Sequence, residues 1–336
     1  MGTLALLLVL YGFSLPRPLF KDPYSLVLED RRGDLLGARI AADGQWRFPA
    51  GDSLPDKFVQ ALLEFEDRRF YHHPGIDPIG LLRAARQNIR AGKIVSGGST
   101  ISMQTIRLAR KPKSRSFYQK LVEMILATRL ELGYTKNEIL TLYAAHAPFG
   151  GNVVGLEAAS WRYFSKHPSL LSWAEAAMLA VLPNSPGLIH PGRNRDALKA
   201  KRDRLLDRLY EKGAIDSLSC ALAKEEALPE QPHPLPRLAP HLLDRAFLEK
   251  KLQTNQKRAR LKTTIQKSLQ VQLNEILKRH QSILARQEIH NLSALVIEVE
   301  TGAIAAYTGN VIGAGEIHGE QVDVIPAPRS TGSILK

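Results

Sequence analysis

The sequence predicts a mainly α-helical domain, preceded by a short β-hairpin region and followed by the opening of a second, α/β domain. Three observations carry this. Between residue 55 and about residue 213 apolar positions recur three and four apart, and Gly75, Gly97-Gly98, Pro112, Gly150-Gly151, Pro183 and Pro186 cut that stretch into helix-length pieces. Upstream, two strand-like runs at 25–29 and 35–40 flank the turn residues Asp30-Arg31-Arg32-Gly33-Asp34, and residues 45–48 read as a third short strand. Downstream, Pro229, Pro232, Pro234, Pro236 and Pro240 crowd together as in an extended linker before strand and helix patterns resume.

Taken in order, residues 1–16 carry no charge and are rich in leucine. At ~1.5 Å per residue they span roughly 24 Å, somewhat short of a ~30 Å hydrocarbon core. No basic leader or small-residue cleavage site stands near Ser14-Leu15-Pro16, so residues 1–20 read as a retained membrane anchor lacking its basic cytoplasmic flank. The hairpin region covers 24–50, the helical domain 51–215 and the linker 216–261. The second domain, 262–336, shows a strand at 261–265, a helix at 266–280, a buried strand at 293–299 and a strand at 303–308. It is expected to be incomplete.

Composition narrows the function. The chain of 336 residues is 44% apolar and 24% charged, which excludes the disordered class. A net charge of +13 favours phosphate-bearing partners, and the lack of zinc-finger spacing or an aromatic RNP-like strand argues against nucleic acid. Cys220, the single cysteine, rules out an intrachain disulfide or a thiolate metal cluster.

Three constellations bear chemistry. Glu66 falls on a helical face with Val59, Leu62 and Leu63, where partial desolvation would raise its pKa and suit it to general-base work; the alternative is a surface glutamate at a helix end. The neighbouring His72-His73 are adjacent rather than four apart, which fits capping or packing better than a metal site. Gly97-Gly98-Ser99-Thr100 at the head of a helix forms either an anion cradle or an ordinary loop-to-helix turn. Along residues 117–132, Phe117, Leu121, Met124, Ile125, Thr128 and Leu132 make one stripe. Glu123 lies off it, placed to pair with Lys120. Arg107, Arg110, Lys111, Lys113 and Arg115 precede this helix as a cationic run, either a solvated face or a grip for negative charge.

The combined pattern is more specific. Glu66-Asp67-x-x-Phe70-x-x-His73-x-Gly75, then Gly97-Gly98-Ser99-Thr100-Ile101-x-x-Gln104, then Lys120-x-x-Glu123, then Lys136-x-Glu138-Ile139-Leu140-x-Leu142-Tyr143, then Glu175 to Leu182-Pro183-x-x-Pro186 resembles, in order, the five motifs of family 51 glycosyltransferases. These are the glycosyltransferase domains of class A, bifunctional penicillin-binding proteins. Lys262-Thr263-Thr264-Ile265-Gln266 resembles the opening of their transpeptidase domain, and Ser333 and Lys336 look like its Ser-x-x-Lys nucleophile block. Ala147-Pro148-Phe149-Gly150-Gly151 is most similar to 1C-type members.

The resemblance implies a lysozyme-like helical fold on the cytoplasmic membrane of a bacterium, single-pass, with its cleft outside. It implies polymerisation of lipid II on undecaprenyl diphosphate with inversion, Glu66 as base and Glu123 as second carboxylate. Asp67, Phe70, Gly97, Gly98, Ser99, Thr100, Gln104, Arg107 and Lys120 are implied to bind substrate. No cofactor is firmly implied beyond a divalent cation, Mg or Mn, at the diphosphate, and other cell-wall synthesis proteins are the expected partners. Four positions depart from the family pattern: Gln119 for an arginine, Arg107 for a lysine, Ala144-Ala145 for Leu-Asn, and Met103 for a glutamine. Two other readings compete: a lysozyme-like glycan-cleaving enzyme, which also needs two carboxylates, and a non-catalytic cell-wall scaffold.

Overall fold

Helices dominate the structure, a computed structural model that describes residues 2–51, 53–93, 97–112, 116–184, 191–251 and 259–328. The chain begins with α1 (Gly2–Gly12), β1 (Leu26–Glu29), β2 (Leu35–Arg39) and β3 (Trp46–Arg47). Next come α2 (Asp56–Glu66), α3 (Pro78–Ala91), α4 (Ile101–Arg110), α5 (Phe117–Glu131) and α6 (Lys136–His146). β4 (Pro148–Gly150), β5 (Val153–Val154), α7 (Leu156–Phe164), α8 (Trp173–Val181), α9 (Arg195–Glu211) and α10 (Ser217–Glu225) follow. The last part holds α11 (Pro240–Lys251), β6 (Arg260–Lys262), α12 (Lys267–Leu284), β7 (Ala294–Ile297) and β8 (Ile304–Thr308). Two compact units result, one of residues 1–23 with 43–233 and one of 24–42 with 234–336.

In the first unit α8 lies at the centre. Ala174 and every residue from Ala176 to Val181 are buried, and α2, α7, α9 and α10 pack around it. Its alanines let neighbouring backbones come close. Its start is fixed by a capping box of Ser172 and Glu175, and α6 opens on another formed by Thr135 and Glu138, so two motif carboxylates are helix caps. On α2 the buried row is Phe58, Ala61, Leu62 and Glu64, so of the expected face only Leu62 is buried, with Val59 and Leu63 half-buried. α4 packs on both α5 and α6, and Gly75, at φ +95°, lets a loop run against α5 where a Cβ would sit 2.7 Å from the Ala127 backbone.

Four expectations need correction. Residues 46–47 do not extend the hairpin; β3 pairs parallel to β5 in a sheet of order β3-β5-β4, after the turn at Gly44 redirects the chain. The hairpin instead belongs to the second unit, whose sheet has the order β2-β1-β6 with β1 parallel to β6. Residues 216–261 are not one linker, since they hold α10 in the first unit and α11 in the second, the latter starting on Pro240. The strand at 293–299 is shorter and half-open: α12 packs on β8, leaving Leu295 and Ile297 of β7 exposed.

The second unit's core gathers Leu26, Leu28, Leu36, Ala239, Leu243, Ile265 and Tyr307. Gln270 of α12, wholly buried, ties helix to sheet, accepting from Tyr307 N at 2.8 Å and donating to Tyr307 O at 3.0 Å. At the other end of the chain, α1 stops before Pro16 and Pro18, which cannot continue a helix. Among the described residues no helix is long and apolar enough to cross a membrane.

Candidate active site

Glu66 closes α2, half-buried. Its Oε2 accepts a hydrogen bond from Gln104 Nε2 of α4 at 2.7 Å, and Asn184 supplies a further side-chain hydrogen bond to the carboxylate. Burial pushes this carboxyl above its usual value; the Gln104 bond, the Arg107 charge and Asn184 partly oppose the shift, and Asp67 adds to it. A carboxylate so placed is a stronger base than an exposed one.

Arg107, one turn beyond Gln104, links the two carboxylates. Its Nε lies 3.5 Å from Glu123 Oε1, and its charge reaches Glu66. Glu123 was expected off the buried side, paired with Lys120. The structure turns α5 over: Glu123, at 6% exposure, joins Leu126, Ala127 and Leu130 in the buried row, while Phe117 and Leu132 of the expected stripe are 86% and 74% exposed. Both rows carry apolar residues at helical spacing. Packing selects the one whose Ala127 admits the Gly75 loop and whose carboxylate meets Arg107. No ion pair joins Glu123 to Lys120, which is half-buried, among the described residues.

Several other residues expected at the substrate serve the fold. Asp67 is buried, with its two oxygens 3.0 and 3.1 Å from His73 Nε2, and Oδ2 also accepts from Ile101 N at 3.0 Å. Thr100 caps α4, accepting from Met103 N and donating to Gly75 O at 2.6 Å. The anion-attracting head of α4 is thus already filled by a carboxylate and a hydroxyl of the protein itself. Phe70 is buried beneath Lys136 Nζ, 4.4 Å from its ring centre, and Lys136 also donates to His73 O and Glu131. A Cβ on Gly98 would meet Leu81 at 2.7 Å, so that glycine is needed for packing; Gly97 is exposed and Ser99 half-buried. His73 is a partner of Asp67, and among the described residues no group of three His, Cys, Asp or Glu could hold a metal. Lys113, Arg115, Pro186, Ser333 and Lys336 lie outside the described residues.

Three residues near Glu66 had no role assigned from sequence. Tyr143 of α6 is 1% exposed, and its hydroxyl makes no hydrogen bond. Burial holds its pKa well above the usual phenol value, the Glu66 charge adds to this and Arg107 opposes it. Asn184 approaches Glu66 from the 3₁₀ turn Leu182–Asn184. Lys201 of α9 is half-buried, its pKa lowered by burial and by Arg204, with Glu66 acting the other way. Tyr143 and Asn184 lay within quoted motifs, but Lys201 gave no signal among the many cations of α9.

The Tyr143 hydroxyl makes no hydrogen bond, and Arg107 Nε faces Glu123 Oε1 at 3.5 Å. Of the four departures from the family pattern, Gln119 accepts a bond from Arg110 at 2.9 Å. Ala144 and Ala145 border a separate cavity of about 210 Å³ that includes none of these site residues.

A transglycosylase family model matches residues 36–210. The chain is 35% identical over 322 residues to penicillin-binding protein 1C of Escherichia coli strain K12, covering 96% of this chain and 41% of that protein. Against penicillin-binding protein 1A of Aquifex aeolicus strain VF5 the identity is 36% over 219 residues, 64% of this chain and 30% of that one. Against penicillin-binding protein 4 of Bacillus subtilis strain 168 it is 37% over 187 residues, 55% and 30%. The chain spans less than half the length of these relatives.

Proposed function

The chain belongs to the transglycosylase family, and from that premise we propose that it is a peptidoglycan glycosyltransferase, joining lipid II to a growing glycan strand and releasing undecaprenyl diphosphate. The observation that carries this reading is the Glu66 carboxylate, partly desolvated and facing Gln104 and Arg107. Glu66 takes the proton of the acceptor 4-hydroxyl as that oxygen attacks the anomeric carbon of the donor. The bond from that carbon to the diphosphate breaks on the opposite face, its electron pair leaves with the diphosphate, and the anomeric centre inverts. Arg107 and Lys120 meet the charge that develops, and Glu123 holds the Arg107 guanidinium in place. Gly97 and Ser99 are the part of the glycine turn left open to substrate.

A divalent cation, if one is used, would find Glu123 as its protein carboxylate and take its other ligands from phosphate oxygens and water. It would neutralise leaving-group charge.

A lipid-borne substrate fits the surface. Leu6, Val9, Leu10 and Phe13 at α1, and Phe117, Leu121 and Ile125 on α5, are exposed. α1 is tied to α5 by Tyr11 to Thr128 at 2.8 Å and by Arg129 to Gly12 O. Such apolar exposure suits a membrane surface, here the outer face of the cytoplasmic membrane. A glycan-cleaving enzyme would need neither this nor the cations beside Glu123.

The test is incubation of the purified protein with labelled lipid II. Polymer is expected, and it should disappear with Glu66→Gln. Soluble fragments released from purified sacculi, without polymer, would instead favour hydrolysis.

A further inference from the structure

We propose that the cavity bordered by Ala144 and Ala145 binds a small organic cation, an ammonium group on a short apolar body, with Glu157 as its anionic anchor. The cavity measures about 210 Å³ and lies between the segment leading into α2, the second half of α6 and the start of α7. Phe48, Leu54, Leu156 and Pro168 give it an apolar wall. A hydrocarbon-lined space of about 150 Å³ is enough to take up benzene, so an aromatic or short aliphatic body fits here. The room comes from small side chains. The leucine and asparagine that the family pattern has at positions 144 and 145 would reach further into the cavity than the two alanines do.

Charge selects the ligand. Glu157 is the carboxylate of this wall, 8% exposed, and no lysine or arginine is among the described residues that line the cavity. His167 Nε2 lies 3.8 Å from Glu157 Oε1, beyond hydrogen-bond reach, while Ser169 N–H donates to His167 Nδ1 at 3.3 Å. A Cβ at Gly51 would stand 3.5 Å from Glu157 Oε2, so the glycine keeps that face of the carboxylate clear. Thr141 spends its hydroxyl proton on Asn137 O at 2.9 Å, which leaves it only lone pairs to offer a ligand. An ammonium, with three donors and no acceptor, suits both groups. An anion would meet the Glu157 charge, and a neutral body would bury that charge further with nothing in return. The cavity shares no lining residue with the site around Glu66, so binding there does not depend on the glycosyltransferase reading.

The experiment titrates the purified protein with benzylammonium chloride and, in parallel, with benzyl alcohol, which has the same ring and no charge, at fixed ionic strength and with ligand-observed NMR as the readout. Wild type should bind benzylammonium more tightly by about tenfold or more, the effect of one charge-assisted hydrogen bond. Glu157→Gln keeps the shape of the wall and removes its charge, so it should close that gap. Ala144→Leu fills the cavity and should abolish binding of both compounds. No saturable binding of benzylammonium by wild type, equal affinity for the two compounds, or a gap that survives in folded Glu157→Gln overturns the proposal. Should either variant fail to fold, a benzylammonium carrying a diazirine decides the matter on wild type. Its label should fall on residues 48–55, 141–145 or 155–157, and label confined to other peptides overturns the proposal.

Discussion

The head and the middle of α4 are one turn apart and opposite in character. At the head, Thr100, Asp67, His73 and the first N–H groups satisfy one another in a buried network. In the middle, Gln104 and Arg107 face Glu66 and Glu123, and polar atoms remain without hydrogen bonds. Both stretches belong to the motif pattern, yet the first builds the fold and the second leaves interactions open for chemistry. The difference teaches that motif membership alone does not separate residues that satisfy one another within the fold from those that face the two candidate carboxylates.

The largest effect expected from this contrast is at Glu66. Glu66→Gln should lower polymerisation by roughly 10²–10⁴-fold, measured with labelled lipid II. If it keeps near-normal activity while Glu123→Gln is inactive, the roles of the two carboxylates are exchanged. Glu66→Gln should also stabilise the protein. The folded-state pKa is raised, so the group's contribution is most favourable below the unfolded value near 4.5 and is lost as pH rises through the folded value. Urea unfolding at pH 7 should therefore favour the glutamine protein, and the difference should close toward pH 4.

Next in size is Asp67→Ala, which strips a buried partner from His73 and Ile101 N. It should cost roughly 2–4 kcal/mol in urea unfolding. A loss of activity with unchanged stability would instead put Asp67 at the substrate. Thr100→Ala removes the α4 cap and the bond to Gly75 O, and about 1–2 kcal/mol should be lost by the same measurement. Smallest of all, Phe117→Ser on the outward face of α5 should change stability by no more than about 0.5 kcal/mol while weakening cosedimentation with anionic lipid vesicles. A large destabilisation there would mean that the outward row of α5 packs against protein.

Much of the helical unit was legible because its signals are local. Helix α2 and Leu62 on its buried side follow from spacing, with Glu66 one turn beyond Leu62, although the buried row is centred on Phe58 and Ala61 rather than Val59 and Leu63. What was not legible depends on partners distant in sequence. The Ile101 N–H meets Asp67 across 34 positions, and spacing cannot say that a helix head is already occupied. On α5, two apolar rows compete, and the choice between them is made by Arg107 and the Gly75 loop. Strand 46–47 pairs with a strand about a hundred residues later, beyond any turn signal.

The parallel pairing of β1 with β6 has a consequence for biosynthesis. Arg260 and Glu29, which meet as an ion pair in that sheet, are separated by 231 positions, and residues 43–233 of the helical unit are made between them. At translation rates of about 5–20 residues per second, the hairpin would wait on the order of ten to forty seconds on the emerging chain before its neighbour strand is synthesised. During that interval the edge of β1 that β6 will cover offers its backbone groups to pairing with other strands, so the order of synthesis leaves this edge exposed longest.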